Sequence, residues 1–492
     1  MAQPHPFFLV LMLQLLCTMS LHAASVYSHT TLRAHQEYLK LRIAAGQQLT
    51  KQDLKQNAVN AAALLVANYG DFLTLCVQQD ATAYEALLQN QENRLSQIEA
   101  LKENSAWKRY AQAEVRMQIG VSKILFGNKL SAAWDIRQAY LQYTSLAKQH
   151  PDFIPNKKTL GVLQVLIGSV PDNYRWFLNI IGMKGSINSG LANLRSAATK
   201  ENPFQDEAKV IYALTLQVVD QQNEKQALRI LENAVSQHPD NLLYRFAVVH
   251  ALKKAKQSEQ ALKYYRSRPI SSQYLLFPYL QHMAADLYLY RGDFDESVAQ
   301  NTAFLKQHKG KHYVKAAHFK LHLAYYLSNH HPQALWHYNK VSEVGSQEIE
   351  EDKYAAKYVL KQEKAHKPLL LARLKSDGGY YREALAAIKT LDTTQVSLPV
   401  KAEYTYRSAR IYHGLQDATQ AIKLYKNTIA VCAGTDLYFA PHAALQLGYL
   451  YKEQQQEALA KVYFNKAISY KDYEYKNSID AKAKLALATL QP

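Results

Sequence analysis

Two histidines four residues apart are the side chains with the clearest potential for chemistry. His318 and His322, in the segment HFKLH, fall on one face of a predicted helix, and that spacing can bind zinc when a third ligand is available. His330 and His331 follow closely, but no carboxylate or cysteine stands at ligand spacing. We therefore expect ordinary solvent-facing histidines here and no bound metal.

Catalytic motifs are likewise missing from the sequence. The segment GMKGSI (182–187) lacks the spacing of a phosphate-binding loop, and no GxGxxG pattern follows a strand. GSINSG (185–190) places Ser189 before Gly190, without the preceding strand that a nucleophile elbow requires. No nucleophile, base and electrophile come together, so the sequence predicts no catalytic residue, no cofactor and no enzymatic activity.

The amino-acid composition indicates which secondary structure the chain forms. The 492 residues include only 17 Gly and 14 Pro, and 48% are hydrophobic. Few helix breakers and no strand-like alternation predict an all-α protein.

The net charge is +17, and the Lys and Arg residues are scattered. A basic surface favours acidic partners, but dispersed charge is more typical of a solubilising surface than of a nucleic-acid interface.

The N-terminus carries the pattern of a secretory signal peptide. An apolar run, FFLVLMLQLL (7–16), precedes small residues at Ala23 and Ala24. The run is shorter than the ~20 residues that span a bilayer. We expect residues 1–24 to be a signal peptide, with retention as an uncleaved anchor as the alternative. The mature protein is then exported, periplasmic or outer-membrane associated in a bacterium, where nucleic acid is not an expected partner.

The C-terminal half contains a regular recurrence of small residues. They occur at intervals of 34, 36, 37, 50, 37 and 39 residues, and each is followed four positions later by a larger residue. In six of the seven cases the larger residue is apolar or aromatic. The small positions are Ala227, Ala261, Ser297, Ala334, Ala384, Ala421 and Ala460. Their larger partners are Leu231, Tyr265, Asn301, Tyr338, Ile388, Tyr425 and Phe464. Such a pair lets two helices approach closely and fills the groove between them.

This pattern resembles the tetratricopeptide repeat, a helix-turn-helix unit of 34 residues. Its clearest copy is LGYLYKEQQQEALAKVYFNKAI (447–468). The resemblance covers about residues 204–490 and implies an α-solenoid of stacked helix pairs. The interval of 50 residues marks an insertion, which we predict to be an additional charged helix with a solvated acidic start at Glu350–Asp352. A final helix at 477–492 is expected to cover the last repeat.

The remaining chain divides into two predicted parts ahead of the repeat array (204–492): a helical region (25–153) and a glycine-rich helical hairpin element (154–203). The second part resembles a segment of the family that includes the fungal inclusion-body clearance protein of the mitochondrial outer membrane and its animal relatives. The residues that carry this resemblance are Gly161, Gly168, Ser169, Pro171, Gly182, Gly185, Gly190 and Leu191. It implies an α-solenoid, and it brings no molecular function with it.

Two hypotheses of function remain. In the first, the protein is a non-catalytic scaffold or adaptor of a bacterial envelope, and the inner face of its repeats binds a protein or peptide ligand. The candidate lining residues on predicted first helices are Tyr288, Tyr325, Tyr412 and Tyr451. Tyrosine offers contact area and a hydroxyl at low entropy cost. The alternative for each of these tyrosines is packing between repeats.

In the second hypothesis the protein binds a membrane surface through an amphipathic helix at 174–184. The apolar residues that would enter the lipid interface are Trp176, Phe177, Ile180 and Ile181, with Arg175 and Lys184 facing anionic headgroups. A helix this short is also suited to packing in a core between its two apolar neighbours. Exposure of these side chains distinguishes the two interpretations.

Overall fold

A computed structural model describes residues 27–56, 60–170, 178, 180–219, 223–361 and 366–490. The predicted signal peptide (1–24), Trp176 and Phe177 lie outside the described residues. Within these ranges the chain forms 24 helices and no strand. The predicted fold class, an all-α protein of stacked helix pairs, is therefore confirmed.

Eight helices precede the predicted repeat array. They are α1 (His29–Leu39), α2 (Ile43–Gln56), α3 (Ala61–Gln78), α4 (Ala81–Ala100), α5 (Ala106–Leu125), α6 (Lys129–Gln149), α7 (Asn156–Gly168) and α8 (Ile187–Thr199). Most begin with a side-chain cap; Asn60 and Ser105, for example, accept hydrogen bonds from the first free amides of α3 and α5. Such caps satisfy amides that no helical carbonyl can reach.

Sixteen helices follow. The first eight are α9 (Gln205–Val219), α10 (Glu224–Gln237), α11 (Leu242–Lys254), α12 (Ser258–Arg266), α13 (Pro278–Arg291), α14 (Phe294–Gln307), α15 (Val314–Leu327) and α16 (His331–Glu343). The last eight are α17 (Glu350–Lys361), α18 (Lys367–Asp377), α19 (Tyr381–Ile388), α20 (Leu398–Gly414), α21 (Ala418–Val431), α22 (Phe439–Glu453), α23 (Glu457–Ser469) and α24 (Lys476–Ala488). Successive helices pack as antiparallel pairs, such as α20 with α21 and α22 with α23.

The helices group into two compact units. The first comprises the described residues of Met1–Ala251, Lys263–Leu280 and Lys306–Lys311, and the second those of Leu252–Leu262, Gln281–Leu305 and His312–Pro492. Each unit buries its own apolar core. The predicted boundary at 203/204 falls inside the first unit.

The recurrent small residues lie where the sequence predicts them. All seven, from Ala227 to Ala460, are buried, and six of them are at most 1% exposed. Gly448 shows why size matters, because a Cβ at this position would lie 2.5 Å from the ring of Phe464, which is itself fully buried. The small-and-large pairing therefore sets how closely the two helices of a repeat approach each other.

The glycine-rich element forms an even closer contact in the first unit. A Cβ on Gly161 of α7 would stand 2.8 Å from the carbonyl oxygen of Gly190 on α8, and a Cβ on Gly190 would stand 2.6 Å from that of Gly161. The two helices thus touch backbone to backbone, which only glycine permits. This contact of α7 with α8 lies within the predicted glycine-rich element (154–203).

The insertion forms the predicted extra helix, α17, and its acidic start is solvated at Glu350 but not at Asp352. Asp352 is fully buried, and its carboxylate accepts hydrogen bonds from the amides of Tyr313 (2.7 Å) and Ala316 (2.9 Å). These amides open α15, whose own first residues provide no side-chain cap. Glu351 pairs with Lys320 at 2.8 Å. The prediction of a solvated start is therefore wrong for Asp352, because this residue of the insertion caps a neighbouring helix.

One described helix, α3, is long and apolar enough to cross a membrane by length and composition alone. Its mean hydropathy is 1.3 over 18 residues, and 78% of that stretch is buried inside the protein. Asn68 and Asp71 lie within it and are bonded to other side chains, Gln118 and Arg94 respectively. In this fold α3 is a central core helix.

Candidate functional site

A cluster of charged side chains lies buried in the first unit. Lys158 of α7 is 1% exposed, and its Nζ stands 3.1 Å from Glu114 and 2.9 Å from Glu207. Tyr143 and Thr159 donate hydrogen bonds to Glu114 at 2.7 and 2.8 Å. We call these residues, together with Tyr69 and His35 beside Glu207, the Lys158 cluster.

The electrostatics of the Lys158 cluster are those of a closed structural site. Burial alone would raise the pKa of Glu207, but the Lys158 ammonium and the neighbouring His35, 3.3 Å away, outweigh it and lower that pKa to about 2. Burial opposes the charge of Lys158 as well, and the two carboxylates hold its pKa well above the ordinary value. Both carboxylates already have their partners, so the cluster offers a ligand no free position.

Of the four histidines singled out in the sequence, His330 and His331 are exposed as expected, whereas His318 and His322 are not solvent-facing. His318 is buried, and its Nδ1 lies 2.9 Å from Nδ1 of His337. His322 bonds through Nδ1 to the carbonyl of Ala334 at 2.9 Å. Burial lowers the pKa of His318 to about 4, so the ring is neutral at pH 7. In the described part of the chain, no group of three or more potential ligands is arranged to hold a metal ion.

The second unit contains an open groove of about 580 Å³, which we call the C-terminal groove. Residues of α18 and α20 and the start of α22, each the first helix of its pair, form its floor. The inserted helix α17 and the loop after α23 form its walls. Its apolar lining consists of Leu369, Leu370, Pro399, Val400 and Leu437. Its aromatic lining consists of Tyr354, Tyr358, Tyr438, Phe439, Tyr473 and Tyr475.

Charged side chains of both signs also line the C-terminal groove. The cations are Lys357, Lys361, Arg373 and Arg407, and the carboxylates are Glu403, Asp436, Asp472 and Glu474. Arg407 pairs with Glu403 of the same helix at 2.5 Å, and Glu474 pairs with Lys357 and Lys361 at 3.0 and 2.9 Å. Asp436 and Asp472 stand exposed at the rim. The lining therefore carries four cations and four carboxylates, and Lys357 and Lys361 are exposed as well.

Arg373 and the tyrosines form the centre of the groove. The guanidinium of Arg373 donates to the hydroxyl of Tyr354 and lies 5.7 Å from its ring. Burial opposes the charge of Arg373, but Tyr354, Asp377 and Glu403 outweigh it and raise its pKa above the ordinary value. The rings of Tyr438 and Tyr475 meet edge to face at 5.4 Å. Rings and guanidinium together make a surface suited to stacking and to carboxylate contacts.

The four tyrosines predicted to line a groove do not meet in the C-terminal groove. Tyr288 and Tyr451 are 5% and 6% exposed, so packing between helices, the alternative stated for them, is the role their burial indicates. Tyr325 stacks on His337 and Tyr412 packs against the core of the second unit, both half-buried. All four lie in the last turns of their helices, and none of them lines the groove. A partner-binding role for Tyr325 and Tyr412 stays a prediction.

The residues of the predicted membrane helix are only partly described. Ile180 is 72% exposed, and Ile181 is half-buried. The backbone beyond them is held to α6, because Arg137 donates to the Ile181 carbonyl at 2.8 Å and the amide of Lys184 donates to Tyr140 at 2.9 Å. This anchoring leaves the Ile180 side chain pointing away from the unit.

Two features of the sequence indicate the groove, and neither is a tyrosine on the first helix of a repeat. Tyr354, Lys357, Tyr358 and Lys361 recur at the spacing of one helix face, in the insertion that interrupts the repeat. The segment DYEYK (472–476) alternates charged and aromatic residues in a loop. Both features lie outside the repeat pattern, and both line the groove.

Comparison with known proteins supports the resemblance found in the sequence. Residues 128–283 match the family model described as Iml2/Tetratricopeptide repeat protein 39. This range includes α7 and α8 with their paired glycines. No curated protein sequence gives a significant match.

Several solved structures are similar in fold at low sequence identity. A tetratricopeptide repeat protein from Parabacteroides merdae is 17% identical, with 57% of this chain and 99% of that chain covered, and a TM-score of 0.26. A human IFIT1 dimer with PPP-AAAA is 14% identical, with 89% of this chain and 88% of that chain covered, and a TM-score of 0.34. The family-model match, over residues 128–283, confirms the predicted resemblance to the tetratricopeptide repeat and, in the glycine-rich element, to the inclusion-body protein family.

Proposed function

We propose that this protein is a non-catalytic interaction scaffold whose C-terminal groove binds an extended segment of a partner protein. The observation that carries this proposal is the groove itself: an open channel of about 580 Å³ across the first helices of three successive pairs. Stacked helix pairs present such surfaces to peptides. Its volume lies in the range of ligand sites, roughly 300–1,000 Å³, which accommodates a few side chains.

The lining of the groove favours a polypeptide as its occupant. Six aromatic rings supply rigid contact area, and arginine beside tyrosine is a combination enriched where proteins bind one another. The charges of both signs provide partners for the polar groups of an extended chain. Tyr354, at the edge of the groove, is 38% exposed and already in contact with Arg373.

A peptide library displayed on phage tests this proposal with the full mature chain as the target. We expect enriched peptides to bind the wild type and to be lost from Arg373→Glu, which reverses a charge at the centre of the groove. Arg382→Glu is the matched control, since Arg382 is exposed on α19 and is not part of the lining. Thermal unfolding of both variants checks that they fold. Equal binding to all three proteins, or no enrichment at all, would contradict the proposal.

We further propose that the protein acts in a bacterial envelope as an exported protein. The support is the sequence of residues 1–24, with its apolar run and small residues at the expected cleavage point. Expression with a periplasmic fractionation, followed by mass spectrometry of the N-terminus, tests this. We expect a mature chain that begins near Ala24 or Ser25. A cytoplasmic protein that keeps its first residues would exclude this location.

A second candidate function is association with an anionic membrane surface through segment 174–184. The observation in its favour is the 72% exposure of Ile180, with the exposed Lys184 four residues further along the chain, since exposed apolar and cationic side chains in one segment suit a lipid interface. Co-sedimentation with phosphatidylglycerol vesicles tests it. We expect wild-type protein to pellet with the vesicles and Ile180→Ser to pellet less. Failure of the wild type to bind would end this candidate.

A further inference from the structure

The loop after α23 places an acidic residue against the cations of the C-terminal groove. The carboxylate of Glu474 lies 3.0 Å from the Nζ of Lys357 and 2.9 Å from that of Lys361, which are one turn apart on α17. These partners are more than one hundred residues apart in the chain. The loop therefore closes one end of the groove with a bond between elements that are distant in sequence.

The same loop also supplies aromatic rings on both sides of Glu474. Tyr475 lies with its ring 5.6 Å from the Nζ of Lys357 and edge to face with Tyr438. Tyr473, which precedes Glu474 in the sequence, also lines the groove. The segment held against Lys357 and Lys361 is thus a carboxylate flanked in the sequence by two aromatic residues.

The backbone of loop 472–475 is strained, so contacts with its surroundings must stabilise it. Tyr475 has a φ of +68° and Asp472 a φ of +53°, in the left-handed region that bulky residues rarely adopt. Such residues persist where neighbouring contacts compensate the strain. The ion pairs that hold this loop are themselves accessible to water, because Lys357 and Lys361 are 48% and 41% exposed. A ligand can therefore compete for them.

We propose that loop 472–475 occupies the basic end of the C-terminal groove as an internal substitute for its partner. The partner is then an acidic peptide with aromatic residues beside its carboxylate, which displaces Glu474 from Lys357 and Lys361. This inference rests on the proposed function and gives the chemistry of the bound segment. The two lysines one turn apart support it, because an incoming carboxylate can take the place of Glu474 between their ammonium groups.

Binding of a fluorescent peptide with the sequence YKDYEYKN, measured by polarisation on the full mature chain, tests this inference. We expect Glu474→Gln to bind the peptide about tenfold more tightly than wild type, because removing the internal competitor raises the fraction of competent protein. A peptide with Gln in place of its Glu is expected to bind neither protein. The double variant Lys357→Gln/Lys361→Gln is expected to lose binding.

A matched control separates competition from a general change in charge. Asp436→Asn removes one negative charge from the rim of the same groove, at an exposed position. If Asp436→Asn raises the affinity as much as Glu474→Gln, the inference is overturned. It is also overturned if Glu474→Gln binds no tighter while library peptides still bind through Arg373, in which case the proposed function stands. If neither kind of peptide binds, the proposed function fails with it.

Discussion

Lysine ammonium groups pair with glutamate carboxylates in two places in this protein, in opposite surroundings. One is the Lys158 cluster of the first unit, and the other is the contact of Glu474 with Lys357 and Lys361 in the second. In the first, one ammonium serves two carboxylates and is 1% exposed. In the second, one carboxylate serves two ammonium groups that are more than 40% exposed. Burial makes the first arrangement costly to disturb, whereas water and salt make the second exchangeable. The comparison suggests that ion pairs in this protein hold the fold in one region and remain available to a partner in the other.

The largest expected effect comes from removing the central cation of the buried cluster. Lys158→Met leaves Glu114 and Glu207 without their counter-charge, and we expect it to lower the free energy of unfolding by about 3–5 kcal/mol. Urea unfolding, followed through hydrogen exchange of the α7 amides, measures this for the first unit. Lys357→Met serves as the matched control and should change stability by at most ~1 kcal/mol. Similar losses in both variants would remove the contrast between the two regions.

Acid should lower the free energy of unfolding through Glu207 of the Lys158 cluster. The folded pKa of Glu207 is about 2 against an ordinary value of 4.5, so its contribution is complete above pH 4.5 and is lost as the pH falls toward 2. The shift corresponds to about 3 kcal/mol. Unfolding free energies between pH 6 and pH 2 should therefore fall more steeply for wild type than for Glu207→Gln. A curve of equal slope in the two proteins would show that the cluster does not act through this carboxylate.

Steric contact in the first unit gives a third, smaller effect. Gly190→Ala places a Cβ 2.6 Å from the carbonyl oxygen of Gly161, and backbone cannot yield as a side chain can. We expect a loss of about 1–3 kcal/mol, typical of overpacking. Thermal unfolding measures it, with the exposed Asn188→Ala in the same helix as control. A neutral Gly190→Ala would mean that α7 and α8 separate easily, and the first unit would then be less rigid than its contacts indicate.

The smallest effect on stability is expected at the groove. Lys357→Gln/Lys361→Gln should change the free energy of unfolding by less than ~1 kcal/mol, because exposed pairs contribute little. That difference should vanish in about 1 M salt, where the screening length is about 3 Å. Denaturation in low and high salt measures both. A larger, salt-independent loss would place these lysines among the groups that hold the fold.

Local patterns in the sequence predicted the helices and their pairing, but not the contacts between distant segments. The period from Ala227 to Ala460 was sufficient because each pair packs against its sequence neighbours. The Lys158 cluster was missed because Glu114, Lys158 and Glu207 come from three separate helices, and each alone resembles a surface residue. The groove was missed for a related reason. Its walls come from an insertion and a loop, where no repeat pattern applies.

The buried carboxylate of Asp352 has a consequence for anyone who would redesign this array. The insertion that carries it breaks the regular period, and deleting it is the obvious step toward an idealised consensus protein. Yet Asp352 supplies the cap that α15 lacks, through the amides of Tyr313 and Ala316. Excision would leave that helix with an open beginning, so the irregular segment is a structural prerequisite for the repeat that precedes it.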